Sequence, residues 1–462
     1  MKTTRFSLWL VLLAIAGAAV SCKTLPDVNQ LSEEPVKSQP TVATPRGMLP
    51  AKQASQLLKR RWANATADLK QLALLEEQAT GVPLIAGNKV RLLFDGPATM
   101  REMMEAAKAA TSSINLETYI FDRDEVGLQF AELLVEKRKQ GVVVNLMVDG
   151  VGTLATPRAF FDNMREAGIN VLVFNPVNPA QRPGRWQLNN RDHRKIMVVD
   201  GKVGFTGGIN ISSTYANSSL FRSRKKAHEV DHNEVGWRDT HIKIEGPAVA
   251  TLQWAFIDNW VRQEAGELPK VDYFPRLAPV GDKVVRVLAT SPERDSEIYK
   301  SLMVAINESK KSVHITSAYF VPDQQIIDAL VGAAQRGVDV KLVLPGVSDH
   351  DLVMYAGRAF YDELLAGGVR IFQLQVAVLH AKTAVIDGAW STIGSANIDR
   401  RSFIHNYELN VVVIDPAFGR DMAAAFNEDL RHSKEVTLEQ WRDRPWKDRI
   451  REWVARLAEY WI

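Results

Sequence analysis

The chain has a single cysteine, Cys22, so no disulfide can form within it. Long apolar runs are lacking too: Leu8 to Val20 is short of the roughly 20 residues that a bilayer-spanning helix needs. Neither sign of charge dominates, with 57 basic against 54 acidic residues and a net +3 at pH 7. That near balance argues against a nucleic-acid partner, which normally calls for a strongly basic face. What is present is a globular composition, 46% apolar and 24% charged over 462 residues. Such a length exceeds one ordinary core and suits two domains plus extensions.

The first residues read as an address. Met1 to Arg5 is a short basic region, Leu8 to Val20 is apolar, and Ala18 to Cys22 supplies small residues for cleavage, which predicts a signal peptide over residues 1–21. The segment resembles a bacterial lipoprotein signal, although Ala19 stands where such signals usually carry Leu. The resemblance implies that Cys22 is lipidated and that the protein is exported, membrane-anchored and periplasmic. Residues 22–50, rich in Pro, Ser, Thr, Glu and Gln, read as a flexible tether. An N-terminal helical segment is expected over 51–83. Leu57, Leu58, Trp62, Leu69 and Leu72 are spaced for one helix from Ala51 to Glu77 that packs on the first domain.

From about Leu84 the chain repeats itself. Ile114 to Phe121, a helix from Leu128 to Lys139 and Gly141 to Gly150 recur in order as Val313 to Asp323, Ile326 to Gln335 and Gly337 to Gly346. Pro247 and Pro416 each open a later helix, at a position that suits proline. Alternating apolar strands and helices predict an α/β fold of two similar α/β/α sandwich domains, over 84–275 and 276–462, with the active site at their interface.

Both halves carry the same polar set. The first reads HRKIMVVDGKVGFTGGIN (His193 to Asn210) and the second HAKTAVIDGAWSTIGSAN (His380 to Asn397). On a strand, residues i and i+2 share a face, so His193 projects with Lys195, and His380 with Lys382. Attack on a phosphodiester builds charge on the non-bridging oxygens, which two ammonium groups together with Asn210, Ser395 and Asn397 could bind. One imidazole can attack phosphorus, and the other can protonate the leaving oxygen and then activate the incoming alcohol or water. No metal or other cofactor is needed, and Lys at i+2 would repel a cation from either His. Asp200 and Asp387 complete each motif, either in proton transfer or, as their place at a strand end favours, in structure.

These residues resemble the phospholipase D superfamily, from about residue 90 to 435. The second copy fits in full through Gly394, Ser395 and Asn397, whereas the first has Gly208 where the family often has Ser. The resemblance implies that an acid further along the chain orients each His: Glu408 after His380, and Asp239 after His193 if 212–236 is an inserted loop. It also implies His193 as nucleophile and His380 as general acid, an order that the residues by themselves leave open. Within the superfamily Trp237 to Val249, Leu379 to Gly388 and Gly394 to Phe403 look like bacterial cardiolipin synthases, whose usual pair of N-terminal membrane helices is missing here. The expected partners are then anionic phospholipids and a membrane surface, with no nucleic acid.

Two stretches outside the motifs suit headgroups. Phe221 to Lys226 is a basic, aromatic-tipped loop, or simply a solvated one. Trp446, Ile450, Trp453, Leu457 and Tyr460 form a helical stripe among Lys447, Arg449, Arg451 and Arg456, which serves either an interface or docking on its own domain. Three functions fit the sequence: phosphatidyl transfer, a secreted nuclease or other phosphodiesterase, and an inactive lipid-binding module.

Overall fold

The computed structural model describes residues 24–27, 39–63, 65, 68–181, 187, 189–216, 236–264, 266–293 and 296–457. The leader, Cys22, the Phe221 to Lys226 loop and Tyr460 lie outside the described residues.

The repeat builds two half-sheets of the same order. In the first, the spatial sequence of strands is Asn170–Phe174, Val143–Asp149, Ser113–Thr118, Ile196–Val199, Val203–Gly207, His241–Glu245 and Leu84–Leu93. In the second it is Arg370–Leu374, Asp339–Pro345, Ser312–Ser317, Lys382–Ile386, Trp390–Gly394, Asn406–Ile414 and Lys283–Thr290. The first three strands of each are parallel, because a helix carries the chain back between them: Glu125–Lys139 in one half and Gln324–Gln335 in the other. Asp124 and Asp323 cap those helices through their carboxylates, as acids with free side-chain oxygens do.

The halves do not stand apart. Leu84–Leu93 pairs antiparallel with Lys283–Thr290, Ile85 opposite Val285, so the two half-sheets run on as one. Beneath the joint lies a shared core of Ile196, Val198, Ile244, Val285, Val385 and Val411, covered by helices Val249–Arg262 and Pro416–Arg431. Met197 and Val199 point the other way, into the core of the first half. This two-sided burial is why the motif strands read as continuous apolar runs.

One expectation is corrected. The N-terminal segment forms two helices, Ala51–Arg61 and Leu69–Thr80, the second capped by Asp68. Their apolar side packs on the second half rather than the first: Leu58, Trp62 and Leu72 join a core with Tyr299 and Leu302. Buried Glu76 fixes the choice, accepting from Ser301 and Trp390 and lying 3.5 Å from the Arg286 guanidinium.

Candidate active site

The strand Ile196–Val199 turns through Asp200 and Gly201 into Val203–Gly207, and Lys382–Ile386 turns through Asp387 and Gly388 into Trp390–Gly394. All four turn residues have left-handed backbones, with φ of 53° and 62° in the first turn and 52° and 64° in the second. Asp-Gly is suited to such a hairpin. Each carboxylate also gathers the backbone N–H groups of the segment entering the neighbouring strand: Thr111, Ser112 and Ser113 for Asp200, and Lys310, Lys311 and Ser312 for Asp387. The two aspartates are therefore turn residues at the far end of their strands from the histidines. Of the two roles open to Asp200 and Asp387, these contacts fit the structural one that their place at a strand end favoured, and not proton transfer.

The near ends of the motifs meet. Arg191–Asp192 pairs parallel with the start of Asn406–Ile414, Asp192 opposite Tyr407, and one residue further on His193 lies beside Glu408. Trp237–Arg238 pairs parallel with Val378–Leu379, and one residue on Asp239 lies beside His380. The ladders continue through His193 N–H to the Tyr407 carbonyl and His380 N–H to the Arg238 carbonyl. As a result His193 Nδ1 is 3.0 Å from Glu408 Oε1, and His380 Nδ1 is 2.7 Å from Asp239 Oδ2. Each His is thus oriented by the acid of the other half. This corrects the expected pairing within each half, because register along the two short ladders decides the partner, not order along the chain.

A cavity of about 370 Å³ lies over this junction, lined by His193, His380, Asn397, Tyr119, Tyr319 and Trp237 among others. With Nδ1 of each ring held by a carboxylate, Nε2 is left for a ligand. Lys195 and Lys382 donate from Nζ to the backbone carbonyls of His193 and His380, the histidine two residues earlier on each strand. Burial pushes the two amines down, to about 7 for Lys195 and about 8 for Lys382. An anion in the cavity would reverse that push.

The two His–acid pairs are not equivalent. At Glu408 burial is outweighed by His193, Lys195 and Ser395, which hold the carboxyl down to about 2. At Asp239 burial wins over Lys382 and the Thr240 N–H, and the carboxyl rises to about 6. Burial pushes both imidazoles below their ordinary value. Local chemistry explains the difference. Glu408 receives the Ser395 hydroxyl at 2.5 Å and the Asn406 amide at 3.2 Å. Its counterpart faces Gly208, where a Cβ would come within 2.3 Å of the Asp239 carboxylate.

Of the three residues expected to bind phosphate, only Asn397 lines the cavity. Ser395 is buried with its hydroxyl between Glu408 and the Leu409 N–H. Asn210 is also buried, its Oδ1 accepting from the Ile120 N–H and its Nδ2 donating to the Tyr215 hydroxyl, 3.4 Å from His380 Nδ1. Both act on the groups that hold the imidazoles, a correction to their expected role.

Sequence reasoning missed the aromatic walls. Tyr119 meets His193 edge-on at 5.1 Å, and Trp237 lies over His380 at 4.9 Å. The repeat held no signal for Tyr119 or Tyr215, since Ala318 stands at the place that matches Tyr119 and Tyr319 at the place of Ile120. Among the described residues no group of three or more His, Cys, Asp or Glu could hold a metal.

The sequence model described as "Cardiolipin synthase, PLD-like domain" matches residues 101–220 and 302–430, one match in each half. The chain belongs to this phospholipase D-like family. Curated relatives in the family include a cardiolipin synthase of Geobacillus kaustophilus, 36% identical over 81% of this chain and 72% of that protein. Cardiolipin synthase A of Pseudomonas fluorescens is 35% identical over 87% of this chain and 80% of that protein. Among solved structures, a phosphatidylserine synthase of Haemophilus influenzae superposes with a TM-score of 0.64, covering 84% of this chain and 99% of that one. At 13% identity that likeness concerns the fold alone.

Proposed function

We propose that the protein transfers a phosphatidyl group between anionic phospholipids by way of a phosphohistidine, as a cardiolipin synthase-like enzyme of the phospholipase D type. The observation that carries the reading is the pair of imidazoles from two halves opening on one cavity, each with Nδ1 tied to a carboxylate. His193 takes the nucleophilic role. Its partner Glu408 is the more firmly ionised acid and best supports the positive charge that forms on a phosphorylated ring. His193 Nε2 attacks phosphorus, the bond to the leaving oxygen breaks, and His380 Nε2–H gives that oxygen its proton. His380 then takes the proton of the acceptor hydroxyl, whose oxygen displaces His193. Lys195, Lys382 and Asn397 bind the non-bridging oxygens.

The relatives' names support a lipid substrate, and the leader supports delivery to a membrane through a lipidated Cys22 after export to the periplasm. No helix among the described residues is long and apolar enough to cross a bilayer. Phosphatidylglycerol vesicles should yield free glycerol and a four-chain lipid, with some phosphatidic acid where water is the acceptor, and chelators should not stop turnover. Ready cleavage of DNA with anionic lipids untouched would replace this reading by the nuclease one. Release of Cys22→Ser from the membrane fraction tests the anchor, and identical fractionation and mature mass would remove it.

A further inference from the structure

The C-terminal helix Trp446–Arg456 is turned inside out for a helix docked on its own domain. Its buried positions are Glu452 and Ala455, while Trp446, Ile450, Trp453 and Leu457 are exposed by 65%, 51%, 65% and 71%. These four recur at i, i+4, i+7 and i+11, so they form one continuous stripe. A globular helix ordinarily buries such a stripe, because leaving it in water forgoes the hydrophobic gain. Here polar contacts hold the helix with the stripe outward. Glu452 pairs with Arg444, Arg451 donates to Tyr355 at 3.2 Å, and the Arg456 guanidinium lies over Phe360.

We infer that this stripe is a membrane-docking face that seats the active-site cavity on a bilayer of anionic lipid. Charge argues for the occupant. Lys447, Arg449 and Arg456 flank the stripe, while the two acids of the helix are engaged, Glu452 with Arg444 and Asp448 with Arg451. An apolar stripe with tryptophan and a cationic border is the pattern that lies in a headgroup layer. Position argues for it as well. The helix packs along Asp351–Arg358, whose Val353, together with the preceding Asp349 and His350, walls the cavity. Leu352 on that same helix is a further exposed apolar side chain. The inference rests on the phosphatidyltransfer reading for its purpose, but the surface can be tested without it.

The test uses the full chain carrying Cys22→Ser and Ile450→Cys, labelled at the new thiol with an environment-sensitive fluorophore. Vesicles of phosphatidylglycerol should shift the emission to the blue, and brominated acyl chains should quench it, while phosphatidylcholine vesicles do so at least ten-fold less strongly. A label at the exposed position of Lys139, on the first half, should not respond. A probe at 450 that ignores anionic vesicles, or that is already shielded without them by another part of the chain or a second copy, would overturn the inference. A second variant, Trp446→Ser with Ile450→Ser, Trp453→Ser and Leu457→Ser, should lose at least ten-fold in vesicle binding and in turnover of vesicle lipid. It should keep wild-type turnover of a monomeric short-chain phosphatidylglycerol; equal loss on both substrates would mark the stripe as structural. Absence of short-chain turnover in the wild type would count against the enzymatic reading alone, leaving the probe result to decide on the surface.

Discussion

Glu408 of the second half holds His193 of the first, Nδ1 to Oε1 at 3.0 Å, across the junction of the two repeats. Asp239 does the same for His380 from the opposite direction. Neither half therefore contains a complete His–acid pair. Glu408→Gln should slow formation of the phosphoenzyme, and Asp239→Asn should slow departure of the leaving alcohol, each by roughly 10²-fold or more. Rapid-quench kinetics separates the two steps; the reverse assignment of effects would mean that the acids serve the histidines of their own halves.

The turn aspartates behave differently. Asp200→Ala and Asp387→Ala each leave three backbone N–H groups without their acceptor. A loss of about 1–3 kcal/mol in unfolding free energy is expected, with turnover per folded molecule close to wild type. Denaturant titration and active-site counting check this together. A stable but inactive variant would return the aspartates to the reaction.

Much of this was written in the sequence, for identifiable reasons. The two motif strands are bounded by Asp-Gly turns and buried on both faces, so their apolar runs and polar ends are local properties that any reading along the chain detects. The partners of the histidines are not local. Residues 193 and 408 become neighbours only through a two-residue ladder, and nothing in the spacing of Glu408 from His380 says which His it will meet. Ser395 and Asn210 likewise have the right chemistry to bind phosphate, and only their burial against Glu408 and Tyr215 shows that they are already engaged. The N-terminal helices illustrate a third case, since an amphipathic face predicts packing but not against which half.

Gly208 is the residue whose replacement is most informative about the asymmetry. Gly208→Ser restores the residue of the second copy, yet its Cβ would approach the Asp239 carboxylate to 2.3 Å. The carboxylate must then move off His380. At least a ten-fold fall in kcat is expected, with the overall fold retained by circular dichroism; unchanged kinetics would show that the loop yields.

The pH profile follows from the buried groups. Asp239, pushed up to about 6 by burial, takes a proton below that pH and loses its grip on His380. Lys195, pushed down by burial to about 7, loses its charge above that pH. The profile of kcat/KM should therefore be a bell with its maximum between these limits. Stability should move the other way on the alkaline side. Unfolded Lys195 binds a proton up to its ordinary 10.5, so the unfolded chain carries more protons between about 7 and 10.5 and Lys195 contributes rising stability with pH there. Activity that falls while thermal stability holds would distinguish titration of the site from unfolding, whereas parallel loss of both would contradict the assignment.

The central claim is that one imidazole carries the phosphatidyl group and the other carries the proton. It is tested most directly by mass spectrometry of the His380→Ala variant after brief exposure to a phosphatidylglycerol bearing a good leaving group, quenched under alkaline conditions that preserve phosphohistidine. The expected result is a phosphatidyl adduct on His193 and none in the His193→Ala variant. An adduct elsewhere in the chain, or steady multiple turnover by either variant, would contradict it.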